Sequence, residues 1–187
     1  LGGGVVGANA VEMALGLGAQ VTVLDTSVER LRELASQFGP RLQTRVATKQ
    51  TLKSLLPSAD VIVGAVLVPG AAAPKLLSFD DLKNMQPGTV LVDVAIDQGG
   101  CFESSHATTH EHPTYIRDGV VHYCVANMPG AVPLTSTQAL TNVTLPYILR
   151  LANEGLTGVR EDALFAKGIN VHDGEIVNEA VLKALIG

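Results

Sequence analysis

Three glycines and one acid carry the first chemical signal in the chain. Gly2, Gly4 and Gly7, in Leu1-Gly2-Gly3-Gly4-Val5-Val6-Gly7, have the G-x-G-x-x-G spacing of a turn leading from a strand into a helix. In such a turn the first glycine lets the chain leave the strand, and the second lets the backbone approach a diphosphate. The third lets the helix pack closely on the sheet. The N-terminal amides and positive dipole end of that helix then face the phosphates. Asp25 stands about 20 residues further on, where a carboxylate accepts hydrogen bonds from the adenosine ribose hydroxyls. A ribose 2′-phosphate would be repelled there. Together these residues predict a dinucleotide site that takes NAD rather than NADP.

A second acid sits in Val92-Asp93-Val94-Ala95-Ile96-Asp97-Gln98-Gly99-Gly100-Cys101-Phe102-Glu103. An apolar strand delivers Asp97 at its carboxyl end, and Gln98-Gly99-Gly100 lets backbone pass close to a neighbour. There Asp97 can orient an amine or a water, or move protons in imine chemistry; the competing reading is a turn or cap acid. Asp93, in mid-strand, reads as a structural acid satisfied by local hydrogen bonds. Asn127, just beyond another strand, has donors and an acceptor suited to a carboxamide, and suits a turn almost as well. His106, His110 and His112 share a polar loop, Ser104 to Pro113, without regular ligand spacing, so they read as solvated histidines and no metal site is expected. His122 alternates with apolar neighbours and reads as a hydrogen-bonded core histidine.

These groups need a scaffold that brings strand ends together. Val11, Ala14, Leu15 and Leu17 suggest a helix after the glycine turn, and Gln20 to Asp25 a strand. Val28, Leu31, Leu34, Ala35 and Phe38 recur at helical spacing until Gly39-Pro40 stops them. Gln43 to Ala47 is a short strand and Thr51 to Leu56 a short helix. Val61 to Val68 is a continuous apolar run suited to a strand buried on both faces, followed by a loop at Ala71 to Pro74. Ser78 to Met85 predicts a helix capped by Ser78. Thr89 to Val94 and Val120 to Val125 are further buried strands. The alternation of strand and helix predicts an α/β fold, a Rossmann-like doubly wound parallel sheet. The strand that should precede the glycine turn is missing from the chain. Residues 1–133 are expected to form the NAD-binding domain. In residues 134–187, Ser136 to Asn153 predicts one long helix, with Leu140, Val143, Ile148 and Leu151 on its apolar side, a kink at Pro146, and Thr135-Ser136-Thr137 as its cap. Two short helical stretches follow, around a turn at His172-Asp173-Gly174. This segment has too little apolar surface to fold alone and is expected to complete a second domain.

Composition narrows the classes. With a formal net charge of −5 over 187 residues and no cluster of lysine and arginine, the chain has no nucleic-acid surface. Its apolar runs are far shorter than a membrane span. Cys101 and Cys124 make no disulfide framework and read as buried thiols of a cytoplasmic protein.

Four stretches together resemble the alanine dehydrogenase family, which shares a superfamily with the NAD-binding domain of transhydrogenase. They are Gly2 to Asp25; Gly64 to Ala71; Asp93 to Glu103; and Tyr123-Cys124-Val125-Ala126-Asn127-Met128-Pro129-Gly130. The resemblance implies oxidative deamination of L-alanine to pyruvate and ammonia with NAD, in a hexamer of two-domain subunits. It implies that Val5, Val6, Asp25 and Arg30 line the adenosine and diphosphate half of the site. Val66, Leu67, Val94, Ala95 and Ile96 would border the cofactor, and Val125, Ala126, Asn127 and Met128 the nicotinamide. Asp97 would be the catalytic acid, and His106 falls where relatives place a basic cofactor contact. Arg30, read from its neighbours alone, belongs to a solvated helix face. The family's substrate-holding arginine, lysine and histidine have no counterpart here. The chain reads as about half an enzyme, without turnover of its own, and the alternative is an inactive or transhydrogenase-like NAD-binding module.

Overall fold

The computed structural model describes residues 1–66 and 73–186. Leu67, Pro69-Gly70 and part of the expected Ala71–Pro74 loop lie outside the described residues. The chain forms two compact units, Leu1–Met128 and Pro129–Gly187, so the division falls before the expected boundary at residue 133.

The first unit is built as the apolar pattern requires. Helix α1 (Val5–Gly16) buries Gly7, Val11 and Leu15, and α2 (Val28–Phe38) buries Leu31, Leu34 and Phe38. These side chains pack with Val23 of β1 (Val21–Asp25) and Leu42 of β2 (Leu42–Val46). The hydroxyls of Ser27 and Thr48 accept from Arg30 and Thr51 amides, capping α2 and α3 (Lys49–Leu55). A second core gathers Leu56, Ile62, Leu77, Leu82, Leu91, Phe102 and Val120, with strands β3 (Val61–Gly64), β4 (Val90–Asp93) and β6 (Val120–Tyr123) running parallel.

Leu1 and Gly2 join the two halves of this sheet. The Leu1 nitrogen donates to the Val63 carbonyl (2.7 Å) and the Leu1 carbonyl accepts from Ala65 N–H (2.9 Å), while Gly2 N–H donates to the Leu24 carbonyl (2.8 Å). The order is therefore β2-β1-Leu1-β3-β4-β6, with β1, β3, β4 and β6 ending on one edge. A cavity of about 580 Å³ lies between β1 and β3, lined by Val11, Val23, Leu52, Leu56, Ile62 and Val63 among others.

Several expectations need correction. The sheet is not wholly parallel: β5 (Thr114–Arg117) pairs antiparallel with β6. Asp118 (φ 51°) and Gly119 (φ 80°) form the tight connection, since a two-residue hairpin of matching twist needs positive φ at both positions. The described part of the Val61–Val68 run pairs only as far as Gly64, after which Ala65 turns to Leu1. Ser78 to Met85 is not an α-helix: Phe79–Asn84 is 3₁₀. Leu82 and Met85 both enter the core, and the chain turns extended at Met85 (ψ 156°), which leaves room for a short 3₁₀ segment only. Ser78 and Asp81 cap each other there.

In the second unit, α4 runs Pro133–Arg160 and its dihedrals break at Gly155 (φ 66°), not at Pro146, because glycine enters that region without steric cost. Its cap is Val132, with Pro133 in the first turn; the Ser136 hydroxyl instead donates to the Pro129 and Val132 carbonyls. Leu140, Val143, Ile148 and Leu151 are exposed, and among the described residues of this unit Val159 alone is buried. A hairpin, β7 (Val171–His172) with β8 (Glu175–Ile176), separates α5 (Ala163–Ala166) from α6 (Glu179–Ile186). Among the described residues no helix is long and apolar enough to cross a membrane.

Candidate functional site

The glycine turn forms the first wall of the site. Gly2 has φ 88°, and a side chain there would press on the Ala65 carbonyl. A Cβ on Gly7 would collide with the Gly2 carbonyl oxygen, so α1 lies against the turn only because position 7 is bare. At Gly4 a Cβ would meet nothing within 4 Å. The chain itself makes no demand for glycine at position 4. The open space lies at the N-cap of α1, where no side chain caps the helix. Unclaimed first-turn amides beside a bare backbone suit a diphosphate, so these residues fit a dinucleotide. Val5 and Val6 are exposed in that turn, and Val66 reaches the turn from the end of β3.

Asp25 and Arg30 hold the turn between them. Asp25 accepts from Gly3 N–H (2.6 Å) and Ser27 N–H (2.8 Å), and Arg30 Nε donates to the Gly3 carbonyl (2.6 Å). Arg30 also pairs with Glu33. It is thus neither free in solvent nor simply aimed at a ligand: it anchors the loop. Asp25 keeps lone pairs for hydroxyl donors, since each carboxylate oxygen takes two. Replacing Asp25 by alanine is therefore expected to weaken dinucleotide binding and to lower the ratio of NADH to NADPH affinity. Parallel titrations with NADH and NADPH check this, and an unchanged ratio of affinities would remove Asp25 from ribose recognition.

The second wall follows β4. Asp93 is fully buried and accepts from the backbone amides of Ala95, Cys101 and Phe102 and from the Ser105 hydroxyl. The local hydrogen bonds expected for it are present. Burial, and then the neighbouring Asp93 carboxylate, push the Cys101 thiol far up, so Cys101 stays a thiol and donates to Asp93 (3.4 Å). Asp97 lies in the 3₁₀ turn Ile96–Gln98. It is exposed, and among the described residues no side-chain hydrogen bond holds it. Val94 N–H donates to the Gly64 carbonyl, which ties this wall to the end of β3. Ala95 and Ile96 are buried in the core, so any contact they make with a ligand runs through backbone.

The third wall follows β6. Val125 is fully buried, Ala126 and Asn127 are exposed, and Met128 is half-buried. Val125 therefore packs inward. Asn127 has φ 57°, the left-handed conformation that asparagine tolerates in turns, and its carbonyl accepts from His110 Nε2 (3.0 Å). His106 stacks on Tyr115 with ring centroids 3.7 Å apart. It is exposed, and its backbone N–H donates to the Tyr115 hydroxyl. Tyr115 stacks in turn on His122 (4.7 Å). The stack depends on the β5–β6 hairpin, whose Asp118-Gly119 pair was its one signal in the sequence.

His122 Nδ1 lies 3.1 Å from the Val120 carbonyl, which can only accept, so Nε2 is left to accept from the Ser104 hydroxyl (2.8 Å). Burial holds His122 below the usual histidine range. The unfolded chain takes up a proton near pH ~6.5 and the folded one only at lower pH. The stability contributed by neutral His122 is thus present above about pH 6.5 and is lost as pH falls from there. Thermal midpoints measured from about pH 7.5 to 5 should drop less in His122→Gln than in the parent; parallel curves would assign the acid sensitivity elsewhere.

The three walls lie at the ends of parallel strands on one edge. At roughly 4.8 Å per strand, the glycine turn and the Asp97 turn are about 10 Å apart across the sheet. An extended dinucleotide is long enough to bridge that span. The family model described as alanine dehydrogenase/PNT, C-terminal domain, matches residues 1–179. The chain belongs to this family. It is 60% identical over 185 residues to an alanine dehydrogenase of Halomonas elongata, covering 98% of this chain and 50% of that protein. It is 53% identical over 186 residues to the alanine dehydrogenase of Geobacillus stearothermophilus, again covering 98% and 50%. A solved L-alanine dehydrogenase superposes with a TM-score of 0.88 at 50% identity, over 99% of this chain and 51% of that one. A transhydrogenase from Sinorhizobium meliloti shares the fold, with a TM-score of 0.73 at 23% identity, over 96% of this chain and 48% of that one. The chain thus spans about half the length of the curated alanine dehydrogenases it matches.

Proposed function

We propose that this chain is the NAD-binding half of an alanine dehydrogenase, the enzyme that converts L-alanine, NAD and water to pyruvate, ammonia and NADH. One observation carries the reading: bare Gly4 at an uncapped helix start shares a sheet edge with exposed Asp97. The 50–60% identity to alanine dehydrogenases, against 23% to the transhydrogenase, favours this over an inactive module. The exposed apolar face of α4 supports a role in a second, substrate-holding domain and in a homo-oligomer, which the resemblance makes a hexamer; the resemblance also makes the protein cytoplasmic.

In this reading the first-turn amides of α1 hold the diphosphate and Asp25 the ribose. Val66 and the backbone of Val94, Ala95 and Ile96 border the molecule, while Ala126, Asn127 and Met128 lie by the carboxamide. The bound nicotinamide supplies the hydride acceptor for the Cα–H of alanine. Asp97 then takes a proton from the water that adds to the imine carbon. As the carbinolamine collapses, Asp97 returns that proton to the departing nitrogen, and the carboxylate so freed takes the proton leaving the carbinolamine hydroxyl and passes it to solvent. Testing a panel of 2-amino acids for NAD reduction by the complete enzyme decides the matter. Alanine should be the substrate, and no alanine-dependent NADH formation would overturn the assignment.

A further inference from the structure

The loop that carries Asp97 is gripped from two sides by opposite charges. Asp93, on β4, collects its amides: Cys101 N–H (2.9 Å), Phe102 N–H (3.3 Å) and Ala95 N–H (3.2 Å). Lys75, in the segment before the 3₁₀ turn at Phe79, collects its carbonyls: its Nζ donates to Gly99 (2.5 Å), Gly100 (2.7 Å) and Phe102 (3.3 Å). The peptide group between Gly100 and Cys101 therefore has its oxygen on an ammonium and its N–H on a carboxylate. Among the described residues neither charge has a salt-bridge partner. Lys75, at the surface, is met by the loop's carbonyls; Asp93, buried, is met by the loop's amides together with the Ser105 hydroxyl and the Cys101 thiol, and buried bonds of this kind polarise one another. The fit also requires glycine at position 100. It has φ 74°, and a Cβ there would stand 2.8 Å from the Asp93 carboxylate. The pattern repeats that of the glycine turn, where Asp25 takes the Gly3 N–H and Arg30 the Gly3 carbonyl.

The amides of Ala95, Cys101 and Phe102 and the Ser105 hydroxyl offset the cost of burying the Asp93 carboxylate. What the arrangement secures is location. Asp97 has no side-chain bond among the described residues, so its position is set by the backbone on either side of it. We propose that Asp93 and Lys75 are positioning residues that clamp the Gly99–Phe102 loop from opposite sides and thereby fix Asp97 over the reacting atoms. This rests on the dehydrogenase reading above for its kinetic consequence, and on the hydrogen bonds alone for the clamp itself.

The clamp covers Cys101, which is fully buried, whereas Cys124, also fully buried, lies outside the loop. The ratio of their reactivities separates local opening from general loosening. In the complete enzyme, Lys75→Met should raise the labelling rate of Cys101 over that of Cys124 about tenfold. Its kcat should fall by about 10–100-fold, with the NADH dissociation constant held within about threefold, since small misplacements of a reacting group cost rate rather than affinity. Asp93→Asn combined with Lys75→Met should be no more than about threefold slower than the slower single variant, because both act on one loop. Parental kcat in Lys75→Met would overturn the proposal, whether or not Cys101 opens. So would losses that multiply in the double variant, or equal acceleration of labelling at both cysteines. Lys75 is exposed and its variant keeps the test alive if Asp93→Asn fails to fold. A parent enzyme without alanine turnover but with selective opening of Cys101 in Lys75→Met would remove the dehydrogenase reading and leave the clamp standing.

Discussion

Asp97→Asn in the complete enzyme should lower kcat for alanine oxidation by about 10²–10⁴-fold, the range that a positioned general acid–base supplies. The side chain keeps its size and one acceptor, and loses the ability to take a proton from water. It is exposed in the middle of the 3₁₀ turn Ile96–Gln98, and among the described residues it holds no part of that turn through its side chain. Fold and cofactor affinity should therefore be spared, and the NADH dissociation constant should stay within about threefold. Solvent isotope effects and pH profiles of the residual activity would show whether the proton step has become limiting. Undiminished alanine oxidation in this variant would strike Asp97 from the chemistry.

The second large effect belongs to Gly7. In Gly7→Ala the new methyl meets the Gly2 carbonyl oxygen, a backbone atom inside the turn. Neither α1 nor the turn has a flexible side-chain end to move aside, and overpacking of this kind costs about 1–3 kcal/mol. If the turn yields, the amides that face the diphosphate shift with it, so NADH affinity should fall about 10–100-fold, at 1.4 kcal/mol per tenfold. Gly4→Ala separates ligand from fold. Its methyl meets nothing in the chain, so unfolding free energy should change by less than about 1 kcal/mol, as for an N-cap substitution. NADH binding should still suffer, because that methyl enters the face from which a diphosphate is approached. Chemical denaturation alongside calorimetric titration of both variants checks the contrast. A Gly4→Ala protein that binds NADH like its parent would place the diphosphate elsewhere.

The glycine turn and the parallel strands are legible in the sequence for a physical reason. A glycine that prevents a clash leaves its spacing in the sequence, and a strand buried on both faces leaves a continuous apolar run. Hence Gly2-Gly4-Gly7, β1, β3, β4 and β6 were legible, as were α1 and α2 from their helical period. The β5–β6 hairpin has one local signal, the Asp118-Gly119 turn between Ile116 and Val120, and the polar loop before it hides the short β5. The 3₁₀ winding at Phe79–Asn84 was not legible, because Leu82 and Met85 suit either helix type until the core they must enter is known. The break in α4 went to Gly155 rather than to Pro146.

By itself the sequence determined which residue types could serve a dinucleotide and an amino-acid oxidation, since glycine, carboxylate and apolar run each have few uses at such spacing. Tertiary structure alone decided which of them face outward. Ala95, Ile96 and Val125 turned into the core while Asp97, Ala126 and Asn127 stayed at the surface, because the side taken depends on where each strand ends. Structure alone also decided that Arg30 and Lys75 spend their charge on backbone carbonyls. Those partners lie 27 and 24–25 residues away along the chain, and no local pattern encodes a contact that the sheet creates only by folding.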